Sequence, residues 1–195
     1  MSERPRVGIL AVQGDIAAHA RALAQAGAAT VEVRVEKDLG ALDALVIPGG
    51  ESTTISKGMA RLGLYEPIRA FAHAGHPVFG TCAGAILLAA RVENQPVPTL
   101  GLLDATAVRN AYGTQVDSFA APADAGAASE FDGLRCVFIR APRLTQLGPG
   151  VRVLVRVDGE PVLVQQGNLL AATFHPELTA DARVHRYLLS LIPGG

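Results

Sequence analysis

Charge of one sign, long apolar runs and cysteine are all scarce in this 195-residue chain, and each scarcity removes a class of protein. Lysine plus arginine (17) and aspartate plus glutamate (18) nearly cancel, leaving a formal net charge of −1. The surface therefore lacks the positive excess with which nucleic-acid binders neutralise phosphates, and nucleic acid is not an expected partner. No apolar stretch approaches the roughly 18 uninterrupted residues that span a bilayer. The opening MSERPRVGILAVQGD has neither the long apolar segment nor the small-residue cleavage site of a secretory signal, so no membrane association is expected and the cytoplasm is the expected location. The two cysteines, Cys82 and Cys136, stand in unlike surroundings, which gives a disulfide framework or a multi-cysteine zinc site no support; no metal site is expected. No internal repeat is present. What remains is 49% hydrophobic and 18% charged residues, enough for a packed core and too little charge for disorder. The length fits one domain, taken as 1–195.

The apolar residues are arranged as strands alternating with helices. RVGILAVQG is an apolar run of strand length, followed by DIAAHARALAQAGA, a helix with Asp15 as cap and Gly27 as stop. TVEVRVE alternates apolar and polar residues, the pattern of a sheet edge, whereas ALDALVIPGG and PVFGTC read as strands buried on both faces. Two helical segments divided near Gly63 lie between them. The order predicts an α/β fold: a largely parallel, Rossmann-like sheet in three layers, with ligands beyond the carboxyl ends of the strands, where QGD, PGGES and GTCAG all fall. After Leu100 the texture changes. Asp158-Gly159 and Gly167-Asn168 are turn signals between short strands and predict a β meander in the second half. AAPADAGAASE reads as a surface loop, and DARVHRYLLSLI, apolar at Val184, Tyr187, Leu188 and Leu191, as the last helix.

GTCAGAILLAA raises a chemical question, because it places a thiol between two glycines where a strand hands over to a helix. Glycines at these positions permit a tight, closely approached turn, and Cys82 then sits at the helix N-terminus, where unpaired N–H groups favour the thiolate. A small buried hydrophobe fits the same spacing equally well. Cys136, inside LRCVFIRAP, reads as a core residue of a strand. A cysteine hydrolase also needs a base and a group to orient it. His19, His73, His76 and His185 fall in helical segments or at their ends, where solvent-facing or packing roles are expected. His175 ends the strand LLAATF and precedes Pro176, which biases it to an extended conformation. In extended backbone alternate side chains share a face, so Glu177 is expected beside His175, able to fix its tautomer. Spacing alone leaves a structural histidine at a strand end as the alternative.

GTCAG followed far downstream by FHPE resembles the triad (class I) glutamine amidotransferases. LAVQGD, IPGGEST, GTCAG, RNAYGTQVDSF, VFIRAP, QQGN and FHPELTADARVHRY narrow the resemblance to the glutaminase subunits of two-component pyridoxal phosphate synthases, over nearly the whole chain. The resemblance implies that Cys82 forms a γ-glutamyl thioester with L-glutamine, that His175 moves protons and that Glu177 orients His175. It implies an oxyanion hole from the N–H groups of Gly50 and Ala83, and glutamine held by Gly49, Gly50, Glu51, Arg109, Ile139 and Arg140. Without the resemblance, Arg109 and Arg140 read as surface charge. Gln13 is implied to couple the oxyanion region to a docked partner. That partner is implied to be a synthase barrel subunit, forming a large hetero-oligomer that channels ammonia into pyridoxal phosphate; no cofactor is expected in the chain itself. A hydrolase acting alone, an amidotransferase serving another acceptor, and a catalytically dead regulatory subunit are the rival readings. Ala120 stands where the family pattern has an acidic residue, which leaves the contacts of the alanine-rich loop 120–129 open.

Overall fold

The computed structural model describes residues 4–110, 118–126 and 129–194. Residues 111–117 of the RNAYGTQVDSF segment and 127–128 of the alanine-rich loop lie outside the described residues. Strand β1 (Arg6–Leu10) leads into helix α1 (Ile16–Ala26), which Asp15 caps by accepting the Ala18 N–H and which Gly27 ends in a left-handed conformation. There follow β2 (Ala29–Val33), β3 (Ala44–Ile47), α2 (Ser52–Arg61), α3 (Tyr65–His73) and β4 (Val78–Thr81). After them come α4 (Ala83–Leu88), β5 (Ala89–Glu93), β6 (Leu103–Val108), β7 (Ser118–Pro122) and β8 (Arg135–Ile139). The chain ends with β9 (Arg143–Thr145), β10 (Arg152–Val157), β11 (Glu160–Gln166), β12 (Leu169–Ala172) and α5 (Arg183–Ser190).

Seven strands form the main sheet in the order β10-β11-β12-β4-β3-β1-β2. The five from β12 to β2 run parallel, and β11 is antiparallel to both β12 and β10. The edge position of β2 is the one its alternation predicts. The predicted meander is β10-β11-β12, and it extends the main sheet because β12 pairs in parallel with β4. Strands β3, β4 and β12 are buried along their whole length, and their alternate side chains divide between two cores. Leu45, Ile47, Val78 and Leu169 face one core with α2, α3 and α4; Val46, Phe79, Leu170 and Ala172 face the other with α1 and α5. Each large side chain removed from water contributes about 1.5–3 kcal/mol, so these central strands are the most strongly held part of the chain.

Two small sheets flank the main one, β5-β6-β9 and β7-β8, and neither was expected from the sequence. The apolar run AILLAA reads as helix throughout, yet α4 stops at Leu88 because residues 89–93 pair with β6. Gly80 and Gly84 explain the closeness of β4 to α4. A Cβ on Gly84 would overlap the carbonyl of Ile47, and one on Gly80 would overlap the carbonyl of Gly84.

Candidate active site

The carboxyl ends of β3, β4 and β12 open onto one cleft of about 170 Å³. Its wall includes Gly50 and Glu51 from the turn after β3, Cys82, Ala83 and Ile86 from the junction of β4 with α4, and His175 from beyond β12. The small sheets supply the opposite wall, with Arg109 and Asn110 after β6 and Ile139, Arg140 and Pro142 after β8.

Cys82 occupies the strand-to-helix turn with φ 49° and ψ −104°, a backbone conformation that non-glycine residues rarely adopt and that costs of order 1–3 kcal/mol. The turn lifts the thiol out of the sheet. Its Sγ lies 3.8 Å from the carbonyl oxygen of Ile139, and the His175 imidazole shares the cleft wall with it. His175 is fixed from behind: its N–H bonds to the Val137 carbonyl at 2.8 Å, and its Nδ1 lies 2.7 Å from Oε1 of Glu177. Nε2 of the same ring is thereby left for Cys82. Burial opposes a charge on His175, but hydrogen bonds to Cys82 and Glu177 and their negative charges outweigh it and push its pKa up to about 10. Burial likewise opposes ionisation of Glu177, yet His175 and the electrostatic influence of His19 hold its pKa below the usual carboxylate value.

The two residues meet by a route other than the one the sequence suggests. Only His175 is near-extended (φ −111°, ψ 85°); Pro176–Leu178 forms a 3₁₀ turn with Pro176 at its start, where proline's missing N–H is harmless. Glu177 reaches Nδ1 from within that turn.

Glu51 caps α2, its carboxylate accepting from the amides of Thr53 and Thr54 and from the Thr54 hydroxyl. Burial works against its ionisation, and these bonds outweigh it and pull its pKa down to about 2. Arg109 is buried, unlike the surface charge its type suggests. Its guanidinium donates to the Gln95 carbonyl (2.6 Å), to the Thr53 hydroxyl (3.2 Å) and to Glu51 (3.4 Å). Arg140 and Ile139 are exposed at the rim, and Arg140 has a positive φ of 44°. Gly49 does not reach the cleft wall; it packs beneath Cys82 and His175, and a Cβ there would lie 2.6 Å from the His175 ring and 3.3 Å from Cβ of Cys82. Ala83, as the first residue of α4, has no carbonyl one turn back to accept its N–H within the helix. Gln13 stands behind the PGGES turn and accepts the Glu51 N–H at 2.9 Å. Cys136 is fully buried in β8, with burial pushing its thiol up to about 12.

Sequence reasoning missed the layer beneath Glu177. His19 and His185 are both fully buried, and His19 lies against Glu177, Thr81 and His185. The signal was present in the helical spacing: His19 falls four residues before Leu23 on the buried stripe of α1, and His185 three before Leu188 on that of α5. His76, by contrast, stacks on Phe71, and His73 is exposed.

The SNO glutamine amidotransferase family matches residues 9–192 of this chain. The pyridoxal 5'-phosphate synthase subunit PdxT of Desulforudis audaxviator is 51% identical over 187 residues, 96% of this chain and 98% of that protein. The corresponding subunit of Acidothermus cellulolyticus is 52% identical over 200 residues, covering 98% and 95%. A crystal structure of a glutamine amidotransferase superposes with a TM-score of 0.90 at 47% identity, covering 95% of this chain and 98% of the other. The PurLQS structure from Thermotoga maritima shares the fold at a TM-score of 0.72 and 18% identity, over 96% of this chain and 99% of that one.

Proposed function

The chain belongs to the SNO glutamine amidotransferase family, and from this premise we infer that it is the glutaminase half of a two-component pyridoxal phosphate synthase. It hydrolyses L-glutamine to L-glutamate and ammonia and passes the ammonia to the synthase subunit. The observation that carries this reading is the convergence of Cys82 and His175 on the wall of one cleft, with Glu177 2.7 Å behind the His175 ring.

With its pKa near 10, His175 already holds the proton taken from Cys82, and Sγ attacks the side-chain amide carbon of glutamine as the thiolate. The tetrahedral intermediate's oxyanion is met by the N–H groups of Gly50 and Ala83. The proton then passes from His175 to the departing nitrogen, ammonia leaves, and a γ-glutamyl thioester remains. Water, deprotonated by His175, attacks the thioester carbon and releases glutamate with the thiol restored. Glu177 holds the proton-bearing Nδ1 and balances the imidazolium through both halves of the cycle. Gly50 forms the floor under the amide with Gly49 packed behind it, Ile139 and Arg140 close the rim, and Arg109 offers a guanidinium to the substrate carboxylate. Glu51, ionised and two residues from Gly49, meets the α-amino group. One domain spanning 1–195 carries all of this, in the cytoplasm, where an unpaired Cys82 stays reduced. Among the described residues no helix is long and apolar enough to cross a membrane.

Release of ammonia without an acceptor wastes glutamine, and Gln13 is placed to govern it. Gln13 ties down the Glu51 N–H, next to Gly50, whose φ of 148° only glycine adopts freely. The Gly49–Gly50 peptide, which carries the Gly50 N–H between two glycines, is able to turn, and docking of the synthase through Gln13 sets that N–H toward the oxyanion. One missing oxyanion donor costs about a hundredfold to a thousandfold in turnover. Glutamine-dependent pyridoxal phosphate formation should therefore appear when chain and synthase are mixed, with hydrolysis accelerated by that order, and Gln13→Ala should remove most of the acceleration. A mixture that uses free ammonium but never glutamine defeats the functional reading. Full hydrolysis by the isolated chain defeats the coupling, and an unaffected Gln13→Ala complex removes Gln13 from it.

A further inference from the structure

Glu177 is held by His175 through one carboxylate oxygen only. Its Oε1 lies 2.7 Å from Nδ1 of His175, while Oε2 is buried with no hydrogen-bond partner, and the side chain is 1% exposed. The donor facing Oε2 is Nε2 of His19, at 3.5 Å; the same nitrogen lies 3.2 Å from the Thr81 hydroxyl. On its other side, Nδ1 of His19 is 3.1 Å from Nε2 of His185, whose own Nδ1 has no partner. The ring is thus enclosed by Thr81 of β4, His185 of α5 and Glu177 of the 3₁₀ turn, with Asp15, the cap of its own helix, and His175 as the further charged groups that act on it.

Proton bookkeeping selects one arrangement. Burial lowers the pKa of His19, and burial together with His19 lowers that of His185 to about 3, so both rings are neutral at physiological pH and carry one N–H each. The contact with Glu177 is accordingly a neutral donor facing an anion rather than an ion pair. If His19 carried its proton on Nδ1, it would donate to His185, whose remaining N–H would then sit buried and unpaired on Nδ1, and a bare nitrogen of His19 would face a carboxylate oxygen. With the proton on Nε2 both faults vanish: His185 donates from Nε2 to His19, and His19 donates toward Thr81 and Glu177. The unpaired atom is then only a lone pair on His185.

We propose that His19, aligned by His185, is a positioning residue of the glutaminase reaction, its Nε2–H supplying the donor for the outer oxygen of Glu177 and so keeping the inner oxygen turned onto His175. This rests on the reading of Cys82, His175 and Glu177 as the catalytic unit. His19 lies outside the cleft, so its loss reaches the chemistry through Glu177 and leaves glutamine binding alone.

Three measurements test this. In wild-type protein with ¹⁵N-labelled histidine, NMR should find His19 neutral with its proton on Nε2; a proton on Nδ1 overturns the proposal, and this readout needs no turnover. In the complex with the synthase, His19→Leu should lower kcat by about tenfold to a hundredfold, the loss typical when the partner of a functional group is removed, with KM unchanged. Its kcat/KM profile should have an acid limb moved to higher pH, because the Glu177 carboxylate loses a donor that favours its ionised form. His19→Gln, whose amide can present an N–H near the same place, should restore the limb. A lower kcat with the acid limb unmoved denotes mere packing and overturns the proposal. Should His19→Leu not fold, the tautomer and His19→Gln decide: Nε2–H with a wild-type limb supports it, Nδ1–H overturns it. Failure of the functional reading shows itself separately, as a wild-type complex without glutamine hydrolysis.

Discussion

Cys82→Ala is expected to release no measurable ammonia from glutamine in the presence of the synthase, a loss on the order of a millionfold in kcat, as when the nucleophile of a catalytic triad is deleted. The fold should survive, since an alanine fits the space of the sulfur and the neighbours that hold the turn are backbone. The same substitution removes a hydrogen bond and a charge that raise the pKa of His175, so that ring should titrate below the value of about 10 it has beside the thiol. NMR of the labelled ring reads this directly. Cys136→Ala is the control: buried in β8 and no part of the cleft wall, it should cost about 1 kcal/mol of stability with chemistry intact. Ammonia release by Cys82→Ala at the wild-type rate would remove the cysteine from the mechanism.

His175 and Glu177 should fail together rather than separately. His175→Ala removes the proton carrier and is expected to cost nearly as much as loss of the nucleophile. Glu177→Gln keeps the shape but offers an amide N–H to Nδ1, which drives the ring's proton to Nε2, where it faces the thiol and cannot accept from it. About four orders of magnitude in kcat is the expected loss. The double variant should be no slower than His175→Ala alone, because orienting a base matters only while the base is present. Steady-state rates of the three proteins in the complex measure this, and losses that multiply would show that the residues act independently.

The sequence announced those parts of the protein that depend on local spacing. The edge alternation of β2, the cap at Asp15, the stop at Gly27 and the turns of the meander all follow from a few adjacent residues, and all are found where expected. The cysteine between glycines was legible because the close approach it needs excludes any Cβ at Gly80 and Gly84. The small sheets were not legible, since Ala89 and the residues after it prefer helix and become a strand only by pairing with β6. Nor was the burial of Arg109, which depends on a carbonyl from Gln95 and a hydroxyl from Thr53. His19 and His185 are 166 positions apart, and nothing in the chain order tells that two helices will lay them ring to ring. Even the pairing of His175 with Glu177 was expected through the wrong backbone, because the 3₁₀ turn begun by Pro176 delivers the carboxylate as well as an extended strand would.

The cleft has two walls of different origin. Cys82, His175 and the turn carrying Gly50 hang from the fully buried middle strands of the main sheet, whereas Arg109, Ile139 and Arg140 hang from the short sheets β5-β6-β9 and β7-β8. This separates inheritance from adaptation. Drift in the outer sheets can reshape which amide is admitted, or which acceptor docks nearby, while the bond-breaking atoms keep their places; drift in the middle strands endangers both the reaction and the fold. New amide donors are accordingly reached by rebuilding the wall of short sheets, with the wall built on the middle strands left unaltered.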